Sequence, residues 1–136
     1  MAVTRRVFLD SNILVAIGFR PNGDYRRILG FAGIQFVASE HILREVHENL
    51  TRLGVEPAPF IAELRKILEI TDQVTKLPAG LPLENDDDRQ ALAEAIGARC
   101  DEFVTFNSRD FRHLYGKSVF GVRIRHSADF LREGLA

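Results

Sequence analysis

Val7-Phe8-Leu9-Asp10-Ser11-Asn12 decides the fold: an apolar run that ends abruptly in three small polar residues. Three consecutive apolar residues without alternation read as a strand buried on both faces, the pattern of a parallel sheet. In an open parallel sheet the carboxyl ends of the strands open into the ligand crevice, so an acid that closes the first strand stands where chemistry tends to be placed. Asp10 has a plainer alternative, an N-cap starting the next helix.

Outward from this stretch, period and punctuation predict further strands near Ile34 to Ala38, Phe103 to Thr105 and Val119 to Ile124. Helices are expected at about 12–19, 24–31, 40–53, 58–71, 86–98, 109–115 and 127–134. The alternation is that of an α/β chain with a central, mostly parallel sheet and right-handed crossovers that put helices on both sides. Gly54, Pro57, Pro59, Pro78, Gly80 and Pro82 set off a helical hairpin between the second and third strands. With 136 residues, no repeat and no composition break, residues 1–136 read as one domain.

Composition narrows the function. The chain is 46% hydrophobic and 27% charged, an ordinary globular balance, and no apolar stretch approaches the roughly 20 residues that cross a bilayer. Met1 to Arg6 leads straight into the strand without a signal-peptide core, so a cytoplasmic location is expected. Cys100 is the sole cysteine, which excludes an internal disulfide and suggests a structural role near a helix end. The grouping His41, Glu45, His47 does not match the spacing of helical zinc ligands, which argues against zinc. A net charge of −1 argues against coating nucleic acid by bulk positive charge. Three of the 18 basic residues are lysine (Lys66, Lys76, Lys117) and the rest arginine, whose fork matches phosphate oxygens; codon bias explains the same excess.

Three further acids repeat the theme. In the helix after Ser39 the apolar stripe is Ile42, Leu43, Val46, Leu50 and Leu53, and Glu45 falls on its margin with Asn49 and Arg52. The alternative there is a solvated Glu45 paired with Arg52. In Asn85-Asp86-Asp87-Asp88-Arg89, Asp88 lies four residues before the core position Leu92 and projects inward, while Asp86 and Asp87 face solvent or cap the helix. An unpaired inward carboxylate is costly, so a cation is expected beside Asp88. Phe103-Val104-Thr105-Phe106-Asn107-Ser108-Arg109-Asp110 is another buried strand ending in polar groups; Asp110 is either a metal ligand or the partner of Asn107 in a capping box. Two strand ends and two helix edges carrying acids together read as a divalent-cation site.

These four blocks, Phe8 to Leu14, Ala38 to Val46, Asp87 to Ala95 and Val104 to Phe111, resemble those of the PIN domain family of metal-dependent ribonucleases, particularly the branch with toxins of bacterial toxin–antitoxin systems. The resemblance spans nearly the whole chain and implies a three-layer α/β/α PIN-like fold with Asp10, Glu45, Asp88 and Asp110 as catalytic metal ligands. One departure stands out: many PIN domains carry an aspartate where this chain has Asn107. Hard oxygen ligands suit Mg²⁺ or Mn²⁺, which can activate water for in-line attack on a phosphodiester. Ser11, Asn12, Thr105 and Asn107 would orient water, carboxylate or phosphate, and Arg52, Arg89, Arg109 and Arg112 would hold single-stranded or looped RNA at the rim. Pairing with carboxylates is the other reading of those arginines. The resemblance also implies a small cognate antitoxin and a homodimer. A non-catalytic PIN-like module that binds RNA or protein, having lost an acid at Asn107, is the competing expectation.

Overall fold

The computed structural model describes residues 4–135. Six strands, β1 (Arg5–Leu9), β2 (Ile34–Ser39), β3 (Glu69–Thr71), β4 (Glu102–Thr105), β5 (Ser118–Val119) and β6 (Val122–His126), form one sheet in the order β3-β2-β1-β4-β6-β5. All pairings are parallel except β5 with β6. Val7, Phe8 and Leu9 are consecutive and wholly buried, which requires cover on both faces of the sheet. That cover comes from α1 (Ser11–Phe19), α2 (Glu40–Arg52), α3 (Ala58–Ile67), α4 (Asp86–Gly97), the single-turn α5 (Ser108–Phe111) and α6 (Ser127–Leu135). The expected α/β/α layering is the architecture found. Phe8 stacks on Phe103 across β1 and β4 at 5.7 Å, and Phe103 on Phe111 at 5.2 Å, so the strands that carry the site share one aromatic core.

Four expectations need correction. The predicted helix at 58–71 stops at Ile67; Leu68 turns extended (φ −97°, ψ 151°) and Glu69–Thr71 becomes an edge strand on β2, with Ala38 opposite Ile70. β-branched Ile70 and Thr71 favour that choice, and the edge of β2 supplies the ladder. The single strand expected from Val119 to Ile124 is a hairpin. Phe120 and Gly121 both take left-handed φ, 47° and 85°, the two-residue turn whose twist suits antiparallel strands. Residues Asp24–Gly30 form a 3₁₀ helix rather than an α-helix, and the helix expected at 109–115 divides into α5 and a 3₁₀ turn at Arg112–Leu114.

Strand order places the site. From β1 the chain moves to β2 and β3 on one side, then re-enters on the other side of β1 as β4. The crevice at such a reversal, beyond the carboxyl ends of β1 and β4, is where open α/β sheets bind ligands.

Candidate metal centre

Leu9 pairs with Val104, so the next residues on each strand, Asp10 and Thr105, emerge side by side at the reversal point. Asp10 closes β1 at this point and is also the N-cap of α1, the plainer reading made of it. Its Oδ1 accepts from the Ser11 amide at 2.8 Å as the N-cap of α1, and its Oδ2 accepts from the Thr105 hydroxyl at 2.8 Å. Thr105 Oγ1 in turn accepts from Asn12 Nδ2 at 3.0 Å and from the Asn107 amide at 3.1 Å. One donor and two lone pairs are thereby used in full, and the Asp10 carboxylate is held in a fixed orientation. Burial pushes the Asp10 carboxyl above its ordinary range, against the Thr105 and Ser11 hydrogen bonds and nearby His41.

The helices bring the other acids to the same place. Ser39 caps α2 by accepting from the Ile42 amide at 3.1 Å, and its hydroxyl donates to buried Glu94 of α4 at 2.5 Å. This tie fixes the start of α2 against α4 and thereby sets Glu45 opposite the first turn of α4. Asn85 caps α4, its side chain accepting from the amides of Asp87 and Asp88 at 2.8 and 3.3 Å. Asp88 then points inward, 9% exposed, and among the described residues no donor reaches its Oδ2.

Asp10, Glu45, Asp88 and Asp110 line one cleft of about 590 Å³, with Ser11, Asn12, Asn107 and Arg109. Burial, then the charges of Asp10 and Asp87, push Glu45 up to about 8. Burial and the neighbouring Asp110 and Asp10 push Asp88 up to about 7. Asp110 is held below its ordinary range, chiefly because Asn107 Nδ2 donates to its Oδ2 at 3.0 Å. Acids that resist ionisation in a shared cleft are groups short of positive charge.

Several side-chain expectations resolve differently. Glu45 is not a solvated partner of Arg52; it faces the acids, while Arg52 donates to Asn49 Oδ1 at 3.2 Å. Asn107 occupies the N-cap position of α5 without a side-chain cap bond, so the capping box is not formed and Asn107 holds Asp110 instead. Of the four arginines expected at the rim, Arg109 lines the acidic cleft. Arg52 lines a neighbouring, more apolar groove with Phe19, Leu53 and Phe106. Arg89 is taken up by Asp86 and the Leu83 carbonyl, and Arg112 lies beside Tyr115, outside the cleft lining. Asp87, read from sequence as a solvent-facing or capping residue, lines the cleft; His41, set aside with the zinc argument, lies 3.5 Å from Glu45 and 4.0 Å from Asp87. The four-residue spacing of His41 and Glu45 on one helix face was the available signal.

No protein-family profile matches the sequence, nor does any curated protein sequence. The backbone, by contrast, is similar to solved structures. A chain of VapBC2 from Rickettsia felis, solved bound to a promoter DNA fragment, aligns with a TM-score of 0.68 at 17% identity, over 89% of this chain and 98% of that one. VapC20 of Mycobacterium tuberculosis, described as a toxin that cleaves the sarcin–ricin loop, aligns with a TM-score of 0.60 at 17% identity, over 75% and 90%. The chain has the PIN-like α/β/α fold of these VapC toxins, the fold its motif blocks imply.

Proposed function

We propose that the protein is a metal-dependent endoribonuclease of the VapC toxin type, built as one PIN-like domain over residues 1–136. The observation that carries this reading is the convergence of Asp10, Glu45, Asp88 and Asp110, from four separate segments, on one cleft at the sheet's reversal point, with a buried Asp88 oxygen that no donor among the described residues satisfies. A hard divalent cation fits that donor set, since carboxylate oxygens in excess of cations are what Mg²⁺ and Mn²⁺ select. Asp10, Glu45, Asp88 and Asp110 would hold it. When bound, such an ion lowers the pKa of a water and neutralises charge developing on a phosphodiester.

The chain's own residues set the geometry. Thr105 and Ser11 fix both oxygens of Asp10, so this ligand needs no reorganisation on binding. Asn12 locks Thr105, and Asn107 locks both Thr105, through its amide, and Asp110, through its side chain. Arg109 at the cleft edge offers a fork to an entering phosphate, which repulsion from the acids would otherwise exclude. The cleft admits a single strand or an exposed loop rather than the face of a continuous duplex. Arg52 would track the RNA further along the neighbouring groove. VapC-type fold and acidic cleft together support a small antitoxin whose tail places an arginine among the acids, and a homodimer of the toxin.

Incubation of the purified protein with a panel of RNAs, with Mn²⁺, Mg²⁺ or chelator, tests the reading. Metal-dependent endonucleolytic cuts are expected, lost in Asp10→Asn. RNA binding without cleavage under every metal would instead establish a non-catalytic module, and expression harmless to a host would remove the toxin assignment.

A further inference from the structure

His41 stands in the first turn of α2 with its side chain 13% exposed, and its Nε2 is one of two buried side-chain polar atoms among the described residues that lack a hydrogen-bond partner. The other is Asp88 Oδ2, in the acidic cleft that Glu45 and Asp87 also line, and more than nine-tenths shielded. His41 Nε2 lies 3.5 Å from Glu45 Oε1 and 4.0 Å from Asp87 Oδ1, and one ligand atom from each of the three residues fits within 4.8 Å of the others. Both separations are too long for hydrogen bonds. They match the span between two ligands of one ion, because bonds of about 2.0–2.2 Å set neighbouring donors roughly 3–4 Å apart.

We propose that His41, Glu45 and Asp87 form a second cation position beside the acidic one, selective for a borderline transition ion over Mg²⁺. The proposal rests on the cleft being a cation site and adds to it a ligand of a different chemical type. Imidazole nitrogen is a good donor to Mn²⁺, Fe²⁺, Co²⁺ or Zn²⁺ and a poor one to Mg²⁺, whereas an all-oxygen set does not make that distinction. Glu45 is the link, since it faces His41 on its own helix and Asp10 and Asp88 across the cleft. Asp87, whose side chain is 72% exposed, is free to swing the short distance that closes the set.

Co²⁺ titrated into the metal-free full-length protein provides the test. Visible absorption counts the sites, and proton NMR detects the strongly shifted exchangeable N–H of a Co²⁺-bound imidazole. Wild type is expected to bind two equivalents of Co²⁺ with such a signal, but one of Mg²⁺. His41→Gln should abolish the signal and weaken one site about tenfold or more, and Asp87→Asn, an exposed change that leaves packing intact, should weaken the same site. Asp88→Asn should keep the imidazole signal while losing the other equivalent. If Co²⁺ binds but His41→Gln and Asp87→Asn change neither stoichiometry nor signal, the second position is overturned and the acidic site stands. If no ion binds to wild type, both are overturned.

Discussion

The two ends of the site-bearing strands treat charge in opposite ways. Where β4 begins, Glu102 is enclosed by Arg5 and by Arg125, whose Nη1 donates at 2.8 Å, and Glu133 closes the ring with Arg125 at 2.6 Å and Arg5 at 3.1 Å. Both guanidinium groups lie against the Phe130 ring, at 5.3 and 5.8 Å. Two acids meet two arginines, and every charge is answered. Where β1 and β4 end, Asp10, Glu45, Asp88 and Asp110 share a cleft, and none is paired with Arg or Lys among the described residues. A fold that can match buried acids so completely in one place leaves them unmatched in the other, and the proposed cation site rests on that difference. Removing a carboxylate should therefore harm the fold at one end and relieve it at the other.

The largest expected effect is on catalysis. Asp88→Asn should lower the RNA cleavage rate by about 10²-fold or more while the metal-free protein melts no lower than wild type, because a like-charge neighbour of Asp10 and Asp110 has been removed. Parallel cleavage and melting measurements on one preparation check this. A mutant that melts several degrees lower without metal would put Asp88 among the structural acids.

Next comes Glu102→Ala, which strands Arg5 and buried Arg125. It should cost about 3 kcal/mol in denaturant unfolding, the range for breaking a buried pair from one side. A loss no greater than that of an exposed pair would erase the contrast between the two ends.

A smaller effect is expected from pH. In the unfolded chain Glu45 and Asp88 ionise in the ordinary carboxyl range, but in the fold they hold their protons up to about 8 and about 7. A carboxyl raised by folding favours the native state where it is protonated, so this stabilisation is present at low pH and lost as pH rises through 7 to 8. Metal-free protein should lose on the order of 1–3 kcal/mol from this source between about pH 6 and about pH 8.5. Glu45→Gln should flatten that slope. Saturating Mn²⁺ should reverse it, since binding to the ionised acids improves as they deprotonate.

Much of this contrast was legible in the sequence, for identifiable reasons. Asp10 was exposed by the abrupt end of an apolar run, and Asp88 by its four-residue offset from Leu92, because both depend on local periodicity that the core enforces. Glu45 was ambiguous because helix geometry gives only a margin; the Ser39–Glu94 hydrogen bond, linking residues 55 apart in sequence, turns that margin toward the cleft. His41 and Asp87 were missed for the same reason, since they meet only when α2 and α4 are docked. β3 escaped notice because three residues after a helix carry too little period to compete with its continuation, and only the open edge of β2 makes them a strand. Arg89 follows the alternative given for the rim arginines, pairing with a carboxylate, since Asp86 captures it one helical turn away.

The smallest effect is expected at Asp110, which is partly satisfied by Asn107. Asp110→Asn should weaken Mn²⁺ binding by less than Asp88→Asn does, and Asn107→Asp should leave cleavage unchanged or raise it by adding charge. Calorimetric titration of the two variants orders them, and unchanged Mn²⁺ affinity in Asp110→Asn would remove that residue from the ligand set.

Anomalous diffraction from crystals grown with Mn²⁺ tests most directly whether the unmatched acids are a cation site. The account predicts a manganese peak in the cleft, bonded to Asp10 and to the otherwise unpartnered Oδ2 of Asp88. A cleft without manganese at saturating concentration, with Asp88 Oδ2 satisfied by a protein donor, would contradict it.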